Sequence, residues 1–258
     1  MHPRSVLVTG ASRGIGLEMV RQLAAIQDGP VHIFAACRNP DVAEDLQILV
    51  KDYPQVHPVY LDVENDESIW SAADQIQAIL KPTDEGLNLL INNAGICDKE
   101  GSGFSVPGAE RGVFLHHLNV NSVGPVLVTQ AFLPLLQKAA AISNSGKMGA
   151  HKAAIINISS ILGSIAENAL GSKLIPNIAY RMSKSALNQL TKTLAVDMKD
   201  DGILVASFCP GWVQTDMGGP QADLKVNESV SALLNSIEKL SDEHTGDYFH
   251  HNGETISY

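Results

Sequence analysis

The chain has 258 residues, of which 45% are hydrophobic and 18% are charged. This composition suits a globular protein with a substantial core, as one large α/β domain or two small ones. The formal net charge of −10, with no basic cluster, argues against nucleic acids and anionic membranes as partners. Three cysteines without CxxC spacing, and an N-terminus that resembles neither a signal peptide nor a membrane span, predict a cytoplasmic protein.

Short apolar or β-branched runs alternate with longer amphipathic segments along the chain. The runs predict strands at 5–10, 31–37, 55–63, 87–93, 153–160 and 203–211. The segments between them predict helices at 16–26, 41–53, 67–80, 123–140 and 179–198. Nearly continuous apolar strands that alternate with helices indicate an α/β fold, in which a mostly parallel, doubly wound sheet of about seven strands carries helices on both faces.

No repeat, low-complexity tract or long linker interrupts the sequence, so we predict a single domain over residues 1–258. Two polar, glycine-containing stretches, 142–152 and 215–227, are predicted to be loops. In a fold of this type, long loops after the carboxyl ends of strands are where ligands bind.

A glycine-rich turn joins the first predicted strand to the first predicted helix in LVTGASRGIGLEMV. Gly10, Gly14 and Gly16 lack side chains, which lets the backbone approach a pyrophosphate, and the helix N-terminus that follows offers amide groups and positive partial charge. The spacing is TGxxxGxG, and the missing Gly-Lys-Ser/Thr excludes a P-loop. A tight strand–helix connection needs glycine in any case. Here the turn follows a predicted strand and precedes an apolar helix, which favours a dinucleotide site.

The end of the second predicted strand indicates which dinucleotide fits. A ribose with a free 2′-hydroxyl is usually held there by an acidic residue, whereas a 2′-phosphate needs cations. Cys37 is followed by Arg38, and Arg13 lies in the glycine turn, so two guanidinium groups flank the expected ribose. Asp41 lies past Pro40, and we interpret it as a charge at the start of the next helix. The pattern favours NADP(H).

Six short motifs occur in order along nearly the whole chain. They are TGASRGIG at 9–16, LDV at 61–63, NNAG at 92–95, NISS at 157–160, YRMSK at 180–184 and PGWVQTDM at 210–217. Each motif alone has modest specificity, but the ordered set resembles the short-chain dehydrogenase/reductase family. CRNP, SSILGSI, AYRMSKSALN and PGWVQTDMGG further resemble the sniffer-type, C-factor-like carbonyl reductases. The resemblance implies a Rossmann-type oxidoreductase that uses NADPH to reduce a carbonyl of a small, largely apolar aldehyde, ketone or quinone.

The resemblance also implies roles for a catalytic set. Tyr180 would be the proton donor in reduction. Lys184 would bind the nicotinamide ribose and lower the pKa of the phenol. Ser160 would hydrogen-bond the substrate oxygen, whereas Ser159 is expected only to end a strand. Asn121 would hold a water that links Lys184 to solvent.

Asn119 is a near competitor for the role of Asn121, and the spacing to Gly124 and Pro134 favours Asn121. Among the cofactor contacts that the resemblance implies, Asp62 and Val63 would contact adenine, and the loop after 203–211 would hold the carboxamide. The implied contacts are Gly10, Ser12, Arg13, Gly14, Ile15, Gly16, Arg38, Asp62, Val63, Asn92, Ala94, Gly95, Tyr180, Lys184, Pro210, Gly211, Val213 and Thr215.

The spacing of Tyr180 and Lys184 has a chemical meaning of its own. Carbonyl reduction leaves negative charge on oxygen, which needs a proton from an acid with a pKa near the operating pH. The four-residue spacing puts both side chains on one helix face. An ammonium about 5 Å from the phenol, at an effective dielectric constant of about 20, favours the phenolate by roughly 3 kcal/mol, which lowers the phenol pKa by about 2.

The sequence leaves open the identity of the substrate, the oligomeric state and one alternative function. The loops expected to select the substrate are about 96–112, 161–178 and 214–228, and they contain no transferable code. Whether Cys97 contacts the substrate is open, and the nine histidines show no metal-ligand pattern. A homodimer or homotetramer could form through the long helices. The alternative function is an NADP(H)-binding regulatory module with little turnover. Such a module would not need an acid whose pKa is adjusted for proton transfer.

Overall fold

The buried apolar runs of the sequence form one sheet in a computed structural model of the protein, which describes residues 2–97, 110–169, 171–173 and 175–258. The strands are β1 Ser5–Thr9, β2 His32–Cys37, β3 Val56–Tyr60, β4 Leu89–Asn92, β5 Ala154–Ile158, β6 Leu204–Cys209 and β7 Tyr248–His250. The helices are α1 Gly14–Ala24, α2 Glu44–Asp52, α3 Asp66–Leu80, α4 Arg111–Leu118, α5 Gly124–Ile142, α6 Ile178–Asp197 and α7 Val226–Glu238.

The strand order of the sheet is β3-β2-β1-β4-β5-β6-β7, and every neighbouring pair is parallel. From β1 the chain builds the sheet outward through β2 and β3, and it then crosses to the other side of β1 to form β4. The carboxyl ends of β1 and β4 therefore flank the point where the winding direction reverses, which is where open α/β sheets bind ligands. The predicted doubly wound α/β fold is confirmed.

Alternating side chains of the strands build a hydrophobic core on each face of the sheet. Val6 and Val8 of β1 face a core that includes residues of α1, α2 and α7. Leu7, between them, faces a second core with residues of α3, α5 and α6. Because successive strand side chains point to opposite faces, a strand covered on both sides must be apolar throughout, as β1, β5 and β6 are nearly everywhere.

The helix that crosses one face of the sheet runs from Arg111 to Ile142 with a π-helical turn at Asn119–Val123. By length and composition alone it is apolar enough to cross a membrane, but half of its most apolar window is buried inside the fold. Phe132 and Leu136 of α5 lie in the core beneath the sheet. We therefore assign it as a core helix.

The predicted elements are present, with shifted ends. The helix expected at 41–53 begins only at Glu44, because a 3₁₀ turn at Pro40–Val42 precedes it and Ala43 (ψ 85°) leaves the helical region. Helices α4 and α7 and strand β7 are additional elements. Most of the predicted substrate loop 96–112 lies outside the described residues, which resume at Glu110.

Candidate active site

The turn between β1 and α1 has a shape that only glycine allows. Gly10 (φ +68°) and Gly14 (φ +57°) have left-handed backbone conformations. A Cβ on Gly16 would lie 2.3 Å from the carbonyl oxygen of Gly10. Arg13 precedes α1 in an extended conformation and makes no side-chain cap, so the first amides of α1 lack that partner at the mouth of a cleft.

This cleft, of about 600 Å³, lies along the carboxyl ends of the strands. It is lined by residues at or just after the carboxyl ends of the first six strands, β1 to β6, together with residues of α1, α4 and α6. Most of the residues that the sequence analysis assigned to the cofactor line it: Gly10, Ser12, Arg13, Gly14, Ile15, Gly16, Arg38, Asp62, Val63, Ala94, Gly95, Tyr180, Lys184, Pro210 and Thr215.

Three of the assigned cofactor residues do not line the cleft: Asn92, Gly211 and Val213. Asn92 is buried, and its amide donates hydrogen bonds to Asn157 Oδ1 (2.9 Å) and Thr129 Oγ1 (3.3 Å). Its side chain thus ties β4 to β5 and α5, a position that the motif alone does not reveal. Val213 is also buried.

Several cleft residues were not assigned from the sequence: Ser159, Asn93, Ile96, Glu64, His116, Gln214 and Asp216. Asn93 has a clear structural role, because its amide donates to Thr9 O (2.8 Å) and Gly10 O (3.3 Å) and so holds the glycine turn against β4. Its position in the NNAG motif was the sequence feature from which this role could have been predicted.

The two predicted phosphate-binding arginines are exposed, and both line the cleft. Arg38 directly follows β2. Arg13 forms an ion pair with Asp216 at 3.2 Å, and the two side chains are 74% and 78% exposed. Such an exposed pair contributes little, so Arg13 remains available to an anionic ligand. Asp41 lies in the 3₁₀ turn and does not line the cleft.

Tyr180 and Lys184 lie side by side and line the same cleft. Both belong to the first two turns of α6, and both are buried. Lys184 Nζ lies 5.7 Å from the centre of the Tyr180 ring and donates to Ile158 O at 2.8 Å. The predicted sharing of one helix face is confirmed.

Burial dominates the electrostatics of this pair. It raises the pKa of the Tyr180 phenol above its ordinary value, and the Cys97 thiol adds to the rise, whereas the neighbouring Ser160 hydroxyl opposes it. Burial also lowers the pKa of the Lys184 ammonium to about 8. The spacing of the two residues predicts that Lys184 lowers the Tyr180 pKa, but in the protein alone burial raises it instead. The phenol is protonated at neutral pH, as it is in an ordinary tyrosine.

The lowered lysine pKa has a measurable consequence for stability. Between the folded pKa of about 8 and the ordinary value of 10.5, the unfolded state binds more protons, so the free energy of unfolding rises with pH. We expect wild type to gain ~2 kcal/mol between about pH 8 and 10 relative to Lys184→Met. Urea unfolding of both proteins without cofactor tests this, and parallel pH profiles would contradict it.

Asn121 lies inside the π-helical turn and is fully buried. Its Oδ1 accepts from Ile96 N (2.9 Å), and its Nδ2 donates to Ile96 O and Ser183 Oγ (both 2.9 Å). A Cβ built on Gly95 would lie 3.1 Å from Asn121 Oδ1 and 3.5 Å from Lys184 Nζ, which places both groups beside the same glycine. Asn119 instead donates to Glu64 at the surface.

Ser160 begins the 3₁₀ turn Ile161–Gly163 after β5, and its Oγ accepts from Leu162 N at 3.3 Å. Its hydroxyl lies close enough to Tyr180 to lower the pKa of the phenol, against the effect of burial. Ser160 does not line the cleft described above, whereas Ser159 does. Ser160, Tyr180 and Lys184 thus meet where β5 and α6 adjoin.

Comparison with known proteins agrees with this geometry. The family model for the short chain dehydrogenase matches residues 4–225. The carbonyl reductase Sniffer of D. melanogaster is 39% identical, with complete coverage of both chains and a TM-score of 0.93. The NADPH-bound carbonyl reductase from chicken fatty liver is 39% identical over 100% of this chain and 95% of that chain, with a TM-score of 0.94. The C-signal protein of Myxococcus xanthus is 33% identical over 67% of this chain and 93% of its own length. The chain belongs to the short-chain dehydrogenase family, as its six ordered motifs predict.

Proposed function

We propose that this protein is an NADPH-dependent reductase of a small, largely apolar aldehyde, ketone or quinone. The observation that carries the proposal is one cleft that combines two chemically different sets of residues. The buried pair Tyr180 and Lys184 lines it, and so do the exposed Arg13 and Arg38 and the glycine turn.

The residues present fit NADP(H). The glycine turn leaves no room for a Cβ at Gly16 and presents the amides of α1, which suits a pyrophosphate. Arg13 and Arg38 can donate charge-assisted hydrogen bonds to a 2′-phosphate. The similar carbonyl reductase from chicken fatty liver has NADPH bound. When bound, NADPH supplies the hydride for the reduction.

Residues of the chain itself supply the proton for the reduction. Tyr180, whose phenol is protonated at neutral pH as in an ordinary tyrosine, donates its phenolic proton to the carbonyl oxygen. The Ser160 hydroxyl hydrogen-bonds the same oxygen and stabilises the charge that develops there. Lys184 stabilises the phenolate that remains, since its ammonium lies on the same helix face.

Asn121 completes the proposed site by holding the wall beside Lys184. Both polar groups of the Ile96 backbone are bound by its side-chain amide, which keeps this segment against α6. In the proposed role, Asn121 also positions a water that returns a proton toward Lys184. The buried setting supports this role, because the Tyr180 phenolate that remains after proton transfer needs a relay that brings a proton from solvent.

The proposed apolar character of the substrate rests on apolar side chains in the cleft that Tyr180 lines. Ile96, Val120, Ile158 and Met217 line the same cleft. A largely apolar molecule would replace water there without leaving unpaired polar groups. Cys97 raises the pKa of both Tyr180 and Lys184, so its thiol lies in the electrostatic neighbourhood of this pair.

The wider organisation is also proposed. Residues 1–258 would act as one cytoplasmic domain, with loops 161–178 and 214–228 shaping the substrate entrance. Exposed apolar side chains on α5 and α6, including Val126, Met182 and Val196, support a homodimer or homotetramer formed through these helices.

A substrate screen tests the proposed function. We expect the protein to bind NADPH and to oxidise it, followed by loss of NADPH absorbance, with at least one member of a set containing a quinone, an aromatic aldehyde and an α-diketone. The control is Ser160→Ala with Tyr180→Phe, which should bind NADPH and leave it unconsumed. Tight NADPH binding by wild type without turnover on any of these classes would instead favour the regulatory module.

A further inference from the structure

The short segment that carries Ser160 is fastened to α6 on both sides of that residue. On one side, Ser159 Oγ donates to Asn188 Oδ1 at 2.6 Å. On the other side, Gly163 O accepts from Asn188 Nδ2 at 3.3 Å and from Ser185 Oγ at 2.8 Å. A single asparagine side chain thus spans the segment 159–163, with Ser160 inside the span.

Asn188 also belongs to the helix face that carries the proposed acid. It follows Tyr180 by eight residues and Lys184 by four, so the three side chains lie on one stripe of α6. Asn188 and Ser159 are 3% and 2% exposed. Their hydrogen bond is therefore shielded from water, where breaking it leaves buried polar groups unpaired.

The chemistry of the contact favours an amide at this position. The Ser159 hydroxyl has one proton, and it is used toward Asn188 Oδ1, so the partner must offer an acceptor. Gly163 offers a carbonyl, so the partner must also offer a donor. An asparagine supplies both from one rigid plane. The packing is close, because a Cβ on Gly163 would lie 2.7 Å from Lys184 Cβ.

We propose that Asn188 is a positioning residue that sets the distance between the Ser160 hydroxyl and the Tyr180 phenol. The inference rests on the proposed function, since it assigns Asn188 a role only through Ser160. Displacing a reacting group by about 1 Å costs on the order of a hundredfold in rate. Loss of the Asn188 hydrogen bonds should therefore lower kcat even where the variant stays folded.

The test is a double-mutant cycle on kcat with Asn188→Ala and Ser160→Ala. In the wild-type background, Asn188→Ala should lower kcat by roughly 10- to 100-fold, and NADPH Kd should change by less than about twofold. In the Ser160→Ala background, the same change should lower kcat by less than about twofold, because the group that it positions is already gone. Should Asn188→Ala fail to fold, Ser159→Ala replaces it in the same cycle.

Thr191→Val is the matched control. Thr191 lies on the same helix, is fully buried and hydrogen-bonds Asn157 and Ser207, but it has no hydrogen bond with the segment 159–163. It should lower the melting temperature and leave kcat within about twofold. Hydrogen exchange of the cofactor-free protein gives a second readout. The amides of 161–164 should exchange about tenfold faster in Asn188→Ala and remain protected in Thr191→Val.

The outcomes separate the inference from the proposed function. If Asn188→Ala lowers kcat equally in both backgrounds, it acts independently of Ser160, and the inference alone is wrong. If Ser160→Ala by itself keeps wild-type kcat, the proposed role of Ser160 is wrong and the inference falls with it. A strong loss from Ser160→Ala, with little further loss from Asn188→Ala, supports both.

Discussion

Replacing Tyr180 with phenylalanine is expected to lower kcat for carbonyl reduction by about 10²- to 10⁴-fold, the usual contribution of a positioned general acid. Phenylalanine keeps the ring that packs 5.7 Å from Lys184 Nζ but has no proton to donate. NADPH affinity should stay within about twofold, because the ring and the lysine remain in place. Steady-state kinetics with a good substrate, together with NADPH titration, measures both quantities.

Tyr258→Phe is the control for removing a phenol. The Tyr258 hydroxyl donates to Gly246 O at 2.8 Å, away from the cleft, so its loss should cost some stability and leave kcat nearly unchanged. If Tyr180→Phe retains more than about a tenth of wild-type kcat, Tyr180 contributes less than the low end of general-acid catalysis and is not the acid.

The second large effect concerns cofactor choice. Arg13 and Arg38 should each contribute about 1.5–3 kcal/mol through charge-assisted hydrogen bonds to a 2′-phosphate. Wild type should therefore prefer NADPH over NADH by at least roughly a hundredfold in kcat/KM. The exposed Arg13–Asp216 pair should compete only weakly for Arg13.

The double change Cys37→Asp with Arg38→Ala should reverse much of that preference. Cys37 lies at the end of β2 and lines the cleft. A carboxylate there would accept hydrogen bonds from the ribose of NADH and repel the phosphate of NADPH. Arg13→Ala should weaken NADPH more than NADH and leave kcat at saturation almost unchanged, since in its proposed role Arg13 binds the 2′-phosphate and not the reacting atoms.

Arg21→Ala serves as the control for removing an arginine. Arg21 pairs with Glu18 on the surface of α1 and does not line the cleft, so cofactor preference should not change. Equal use of NADH and NADPH by wild type, or the absence of a selective loss in both Arg13→Ala and Arg38→Ala, would falsify the phosphate clamp. The assignment of Tyr180 would stand.

Local patterns in the sequence predict much of this molecule. The strand–turn–helix around Gly10, Gly14 and Gly16 is local, because left-handed φ values and a crowded turn demand glycine wherever they occur. The shared face of Tyr180 and Lys184 follows from helix geometry. The parallel, doubly wound arrangement follows from the alternation of buried apolar strands with helices, and β1, β5 and β6 are such strands.

Features that depend on distant contacts or on burial could not be read from the sequence. Strand β7 has three residues, too few for a periodic signal, and it is defined by pairing with β6. The contact between Ser159 and Asn188 joins residues 29 positions apart. The direction of the Tyr180 pKa depends on how deeply the phenol is buried, which spacing does not report.

The most direct test of the central claim is a single turnover with NADPH that carries deuterium at both C4 positions. With a good carbonyl substrate and wild-type protein, we predict one alcohol for each NADPH consumed, with one deuterium bonded to the carbinol carbon. The Tyr180→Phe variant should bind the same NADPH and form almost no alcohol in the same time. Consumption of NADPH without deuterium at that carbon, or equal alcohol formation by both proteins, would contradict carbonyl reduction at this site.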